Sequence, residues 1–377
     1  MGKQLIVCLD GTGNRFSDCP TNVVRMIRSL SQDDSQVISY YDQGVGTFGM
    51  KETLFEWQKV FSRVLGLAFG WGTRRLVEGA YHFLATNYQA GDEIYIFGFS
   101  RGAYAARCLA SVIRAVGLVR GHETHLFEYA WSLQLSRVKK TGKPDFKLLA
   151  KFKATFGRPV TIRFLGLYDT VKSTGWVYDP VVVPYTANNT SVQTVRHALS
   201  IDERRCFFRQ NQWRAANPLA DVKEAWFAGV HSDIGGGYAP EEAQLALLSH
   251  RWMLGEAVAA GLKVDPARAR KQMEPVTGVR ADWAGKMHQS LTGAWNLAEW
   301  TPQLTWDATL NRRRWHIGAM PPFGKPRPRT IPEASAMHHS VRSRLDGPLD
   351  YRPVNLPLAW TVMQDLPFPW EKQANAG

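Results

Sequence analysis

The sequence predicts an α/β fold, a mostly parallel sheet with helices on both faces, and three observations predict it. Short apolar runs alternate with longer helix-patterned segments from the first residues onward. The first run, QLIVCL, is rich in Leu, Ile and Val, as a strand covered on both sides requires. One junction between an apolar run and a long helical pattern reads Gly98-Phe99-Ser100-Arg101-Gly102, the spacing of a strand-to-helix elbow that lifts a side chain above a sheet.

In chain order, Gln4 to Leu9 is the first strand, and Asn22 to Leu30 follows as a helix capped by Thr21. Gln36 to Tyr41 is the second strand, Thr73 to Tyr88 the second helix, and Glu93 to Phe97 the third strand after the turn at Gly91-Asp92. Arg101 to Val119 reads as a long, largely apolar helix. Thr161 to Leu167 is a further strand, Thr194 to Arg204 a helix, Ala225 to Val230 another strand, and a helix runs from Glu241 to about Gly261. These elements make one catalytic-sized domain over 1–262, with insertions near 44–72 and 120–158. From 263 to 377 the composition shifts to Trp, Pro and Arg, and segments such as RRRWHIGAMPPFGKPRPRT read as loops of a region packed on the domain or appended to it.

The insertion at 44–72 carries Phe48, Phe55, Trp57, Phe61, Phe69 and Trp71 among glycines, which suits a lid, a membrane-facing flap or an inward-packed helical insertion. Arg137 to Arg158 is strongly basic, and a solvated face accounts for it more simply than a phosphate-binding patch. The 377 residues carry a formal charge of +13, so partners are expected to be negatively charged. Fourteen Trp beside so many Lys and Arg tilt that expectation toward a lipid surface, although buried Trp is also ordinary core. No helix-turn-helix, RNA-binding or zinc motif is readable, and nucleic acid is not an expected partner. Cys8, Cys19, Cys108 and Cys206 have no paired spacing, which argues against a disulfide framework. The N-terminus lacks the form of a signal peptide and no window reaches eighteen apolar residues, so a chain synthesised in the cytoplasm without a membrane span is expected.

The chemistry centres on Ser100. At such an elbow the nucleophile sits on a strained turn, and Gly98 and Gly102 let strand, helix and neighbouring loop approach closely. A serine needs a base, and the base an orienting acid, in the order Ser, acid, His. Asp169 and His231 end two later strands and are the candidates; His338 and His339 are the alternative bases. Transition-state charge would be met by the backbone N–H of Arg101 and by one from Gly11 or Thr12, in the loop after the first strand. Asp10 is expected to fix that loop, and Asp233 to support His231. No cofactor is required; a calcium or magnesium ion held by Asp10, His231 and Asp233 is a candidate modulator. Two other readings compete with the serine esterase. One is a metal-dependent phosphoesterase using Asp10, which lacks its paired acid because Cys8 occupies that place. The other is a non-catalytic basic binding module.

Six blocks, LDGTGN, TNVVRM, YYDQGVGT, GFSRGAYAAR, FLGLYDTV and WFAGVHSDIGGGY, together resemble the catalytic domain of the bacterial type VI secretion phospholipase effectors, over about the first 260 residues. The resemblance implies an α/β-hydrolase core and cleavage of glycerophospholipid acyl esters at a membrane surface. It places the family's nucleophile on Ser100, its acid on Asp169 and its base on His231. It further implies partners in a secretion apparatus or an immunity protein, and delivery to the periplasm or membrane of a target cell.

Overall fold

The fold is given by a computed structural model that describes residues 2–11, 18–31, 35–44, 69–136, 144–171, 183–205, 208–213, 220–292, 302–307, 312–317 and 328–374. Ten strands are named in chain order: β1 (Gln4–Leu9), β2 (Val37–Asp42), β3 (Glu93–Phe99), β4 (Ile162–Tyr168), β5 (Val192–Ser200), β6 (Asp221–Phe227), β7 (Pro302–Asp307), β8 (Arg312–Ile317), β9 (Ser335–His338) and β10 (Trp360–Met363). The helices are α1 (Asn22–Ser29), α2 (Phe69–Asn87), α3 (Arg101–Val116), α4 (Phe127–Leu135), α5 (Phe146–Phe156), α6 (His231–Gly235), α7 (Gln244–Ala259), α8 (Pro266–Met273), α9 (His339–Asp346) and α10 (Pro369–Ala374).

Eight strands form one sheet in the order β10-β9-β6-β5-β4-β3-β1-β2, and every pairing in it is parallel. The chain steps from β1 outward to β2, then returns to the other side of β1 with β3. That reversal creates a crevice at the carboxyl ends of β1 and β3, where open α/β sheets bind their ligands. Both faces are covered. The face carrying Leu5, Val7, Ile96 and Leu165 packs against α2, α3 and α4, while that carrying Ile6, Cys8, Phe97 and Phe164 packs against α1 and α7. At about 25 cal/mol per Å2, burying apolar surface on both sides is what makes a parallel sheet worth its long crossovers.

Thr21 caps α1 as expected, its hydroxyl accepting from the Val24 amide. Asp145 caps α5, which buries Leu149 and Phe152 and turns Lys147 and Lys151 outward, so this stretch of the basic segment is a solvated face. The expected helix over 194–204 is instead strand β5, a central member of the sheet. Its polar residues misled the reading because they are internalised as pairs. Arg196 bridges Glu256 and Asp221, and His197 meets Glu224 at 2.8 Å. The region after 263 is also corrected: β9 and β10 extend the central sheet beyond β6, and β7 and β8 form an antiparallel hairpin where loops were expected. Most of the aromatic insertion, including Phe48, Phe55, Trp57 and Phe61, lies outside the described residues, as do 137–143.

A candidate active site at the carboxyl edge of the sheet

Ser100 lies between β3 and α3 with φ 59° and ψ −119°. A non-glycine residue at positive φ is strained by a kcal/mol or more and persists only where its surroundings impose it. Two glycines impose it here. A Cβ on Gly98 would come within 2.7 Å of the Ala103 backbone, and one on Gly102 within 2.1 Å of the Leu9 carbonyl oxygen. The start of α3 therefore presses directly on the end of β1. Backbone bonds tie the elbow to the next strand: the Ser100 amide donates to the Tyr168 carbonyl at 3.0 Å, and the Val171 amide donates to the Ser100 carbonyl at 3.3 Å.

Between those two anchor points stands Asp169, fully buried at the end of β4 and also at positive φ, 40°. Its Oδ2 lies 2.5 Å from Nδ1 of His231, the first residue of α6 after β6. Its Oδ1 accepts from the Ser200 amide at 3.0 Å. A third partner is one that sequence reasoning missed. Arg329, 1% exposed, forks onto the same carboxylate, Nη1 to Oδ1 at 2.5 Å and Nη2 to Oδ2 at 2.9 Å. The guanidinium is itself fixed by the carbonyls of Phe208 and Ser200. No local signal marks it, since its partner lies 160 residues earlier in the chain.

Burial alone would push the Asp169 carboxyl up, but Arg329 together with the His231 contact outweighs it and holds the group well below the usual carboxylate range. For His231 burial dominates and pushes the imidazole down, with Asp169 partly opposing it. The result is an ionised acid beside a neutral imidazole at pH 7. The ring lies between Phe99, at 4.7 Å between centroids, and Phe208, at 4.8 Å edge-on. The His231 amide donates to Glu203, a buried carboxylate that also holds Arg205 and Ser290. Among the described residues no hydrogen bond joins the Ser100 hydroxyl to the imidazole; the elbow and the Asp169–His231 pair are joined through backbone.

Asp10 is buried and holds its loop, accepting from the Gly11 amide at 2.7 Å, the Thr21 hydroxyl at 2.6 Å and the Tyr41 hydroxyl at 3.2 Å. That bond engages the Gly11 amide, which in this structure is turned to Asp10. Thr12 lies outside the described residues. The Arg101 amide opens α3, in the turn whose N–H groups have no intrahelical acceptor. Asp233 accepts from the Val230 and His288 amides and faces His288 Nδ1 at 2.6 Å, which fixes the turn that carries His231. Asp10, His231 and Asp233 thus each engage a different set of protein partners. The three-ligand cluster found among the described residues is elsewhere, at His338, His339 and Asp365. Those two histidines face Asp365 at 3.0 and 3.3 Å, not Asp169.

Residues 3–256 match the family model described as type VI secretion system phospholipase effector Tle1-like, catalytic domain. An uncharacterised protein of Saccharomyces cerevisiae is 35% identical over 222 residues, 55% of this chain and 32% of its own length. The chain thus spans about a third of that relative. Among solved structures, an uncharacterised protein from Pseudomonas aeruginosa is 20% identical with a TM-score of 0.40, covering 71% of this chain and 47% of that one. The Tle1 effector bound to the VgrG spike of a type 6 secretion system is 21% identical with a TM-score of 0.37, covering 65% and 52%. On the strength of the family match, which takes in β1 to β6 and the Ser100, Asp169 and His231 positions, the chain belongs to the Tle1-like phospholipase effector family of type VI secretion, through its catalytic domain.

Proposed function

We propose that this chain is a serine esterase that hydrolyses acyl esters of membrane glycerophospholipids, with Ser100 as nucleophile, His231 as general base and Asp169 as the acid that orients it. The observation that carries the reading is the Asp169–His231 contact at 2.5 Å, on the same sheet edge as a strained serine whose amide and carbonyl bond to either side of Asp169. Catalytic hydrogen bonds often tighten only when substrate docks, and the Ser100-to-His231 bond is the link that docking would close.

In this mechanism His231 Nε2 takes the hydroxyl proton as Ser100 Oγ attacks the ester carbonyl, and Asp169 stabilises the imidazolium. The Arg101 amide meets the developing oxyanion, with the loop after β1 as the source of the second donor. Imidazolium returns the proton to the leaving lysolipid alcohol. Water, deprotonated by His231, then cleaves the acyl-enzyme and releases the fatty acid. Arg329 acts through Asp169 as a positioning residue. Family membership supports a phospholipid substrate, and the charge of +13 suits an anionic lipid surface. No helix among the described residues is long and apolar enough to cross a membrane. Delivery by a contractile secretion machine to the periplasm or membrane of a target cell, and binding by a secretion-apparatus protein or an immunity protein, belong to the same proposal.

The test is hydrolysis of mixed phospholipid vesicles followed by product analysis, alongside labelling with an active-serine phosphonate. Wild type should release fatty acid and take the label, and Ser100→Ala should do neither. Equal hydrolysis by both proteins would remove Ser100 from the chemistry.

A further inference from the structure

Behind the site, in the layer between the sheet and its α1–α7 cover, the structure carries a buried charge that the hydrolase chemistry does not use. Arg25 in α1 is 0% exposed, and none of its three guanidinium nitrogens has a hydrogen-bonding partner among the described residues. Both ring nitrogens of His250 in α7, also 0% exposed, are in the same condition, and so is the hydroxyl of Tyr168 at the end of β4. Buried polar groups in folded proteins are almost always satisfied, and an orphaned guanidinium is the costliest kind to leave alone.

Two lines of geometry put these groups in one place, and their electrostatics agrees. Asn22, one turn before Arg25 on α1, donates to the Ala246 carbonyl and the Ser249 hydroxyl, so this face of α1 rests on the turn of α7 that carries His250. Tyr168 alternates with Phe164 and Gly166 on the sheet face that α7 covers, where Met253 reaches Gly166. The three side chains also act on one another electrostatically, Arg25 with Tyr168 and Arg25 with His250.

The charge count then selects the ligand. Burial, with Arg28 adding to it, pushes Arg25 down to about 10, which leaves it protonated at neutral pH. Burial and the Arg25 charge push His250 down to about 3, and burial pushes Tyr168 well up, so both are neutral. Among the described residues one uncompensated positive charge remains, with N–H and O–H donors that outnumber the unpaired acceptors Asn22 Oδ1 and one imidazole nitrogen. We propose that Arg25, His250 and Tyr168 bind a small monovalent anion, chloride in the cell, buried between α1, α7 and β4. The Tyr168 carbonyl receives the Ser100 amide and the next residue is Asp169, so the anion would brace the strand end from which the acid projects. Anion binding between α1, α7 and β4 does not depend on esterase activity.

Two measurements test it. In crystals grown with sodium bromide, an anomalous peak is expected among the Arg25, His250 and Tyr168 side chains; density there without anomalous signal means ordered water and overturns the proposal. In solution, Tm is compared in sodium chloride and sodium gluconate at equal ionic strength, so that screening is constant while only one anion is small enough to enter. Chloride at ten times its Kd should raise Tm by about 2 °C in wild type, saturably. Arg25→Met should lose that response and, relieved of the charge, unfold no earlier in gluconate than wild type does. Should Arg25→Met not fold, Tyr168→Phe serves, with an expected loss of about fivefold in chloride affinity from one donor. A wild-type Tm identical in the two salts, or an undiminished chloride response in the variant, refutes the site.

Discussion

Replacing Arg329 by Met tests how the acid of the candidate triad is held. The guanidinium spans both oxygens of a fully buried carboxylate, at 2.5 and 2.9 Å, and Met keeps much of the stem while deleting the fork. Asp169 is then left with His231, the Ser200 amide and a weak 3.5 Å contact from the Ser200 hydroxyl. Removing one partner of a buried ion pair costs about 3–5 kcal/mol, so a clear fall in Tm is expected. The same cation shares the carboxylate with the imidazole, and two like charges held on one carboxylate repel by on the order of 3 kcal/mol at an effective dielectric near 20. Water entering the vacated volume screens much of this, leaving an expected shift of about one pH unit. The sign follows from the charge: without the cation His231 protonates more readily, and the proposed mechanism needs it neutral. The acidic limb of kcat/KM for a fluorogenic ester should therefore move up by about one unit in Arg329→Met, and less in Arg329→Lys. A folded Arg329→Met enzyme whose limb superimposes on that of wild type refutes the reasoning.

Ser100→Gly should abolish ester hydrolysis yet raise stability by about 1 kcal/mol, because glycine adopts φ 59° without strain; a lower Tm than wild type would contradict the strained-elbow account. Gly102→Ala would place a methyl 2.1 Å from the Leu9 carbonyl, and a loss of at least 1–3 kcal/mol by chemical denaturation is expected. Because the folded Asp169 titrates well below its unfolded value of about 4, its stabilisation is fully present above that pH and fades as pH falls below it. Acid titration monitored by circular dichroism should show wild type outlasting Arg329→Met. Ending the chain at residue 327 removes β9, β10 and Arg329 together and uncovers the edge of β6; aggregation or unfolding is the expected outcome, read by size-exclusion chromatography.

The first 170 residues were largely legible because their signals are local. Thr21 caps the segment it adjoins, Gly98 and Gly102 flank the turn they permit, and Gln4–Leu9 is apolar enough to be a covered strand. β5 was illegible for the opposite reason. Arg196 and His197 make VQTVRHALS look amphipathic, whereas the acids that neutralise them, Asp221, Glu224 and Glu256, stand 25 to 60 residues away. β9 and β10 are four residues each, too short to show a period; β9 finds its place through β6, and β10 through β9. Arg329 sits in a Pro- and Arg-rich stretch that reads as a loop, and its role is defined wholly by a carboxylate on β4. Ser100 and Asp169, by contrast, occupy strand ends, where topology turns sequence order into spatial proximity.

The Asp169–Arg329 fork also sets a schedule for biosynthesis. As the polypeptide leaves the ribosome, β1 to β6, the elbow and the imidazole emerge well before residue 329, so a half-made chain buries an anion without its counter-charge. The Asp169–His231 pair therefore reaches its final electrostatic setting only after Arg329 has been made and folded onto β4.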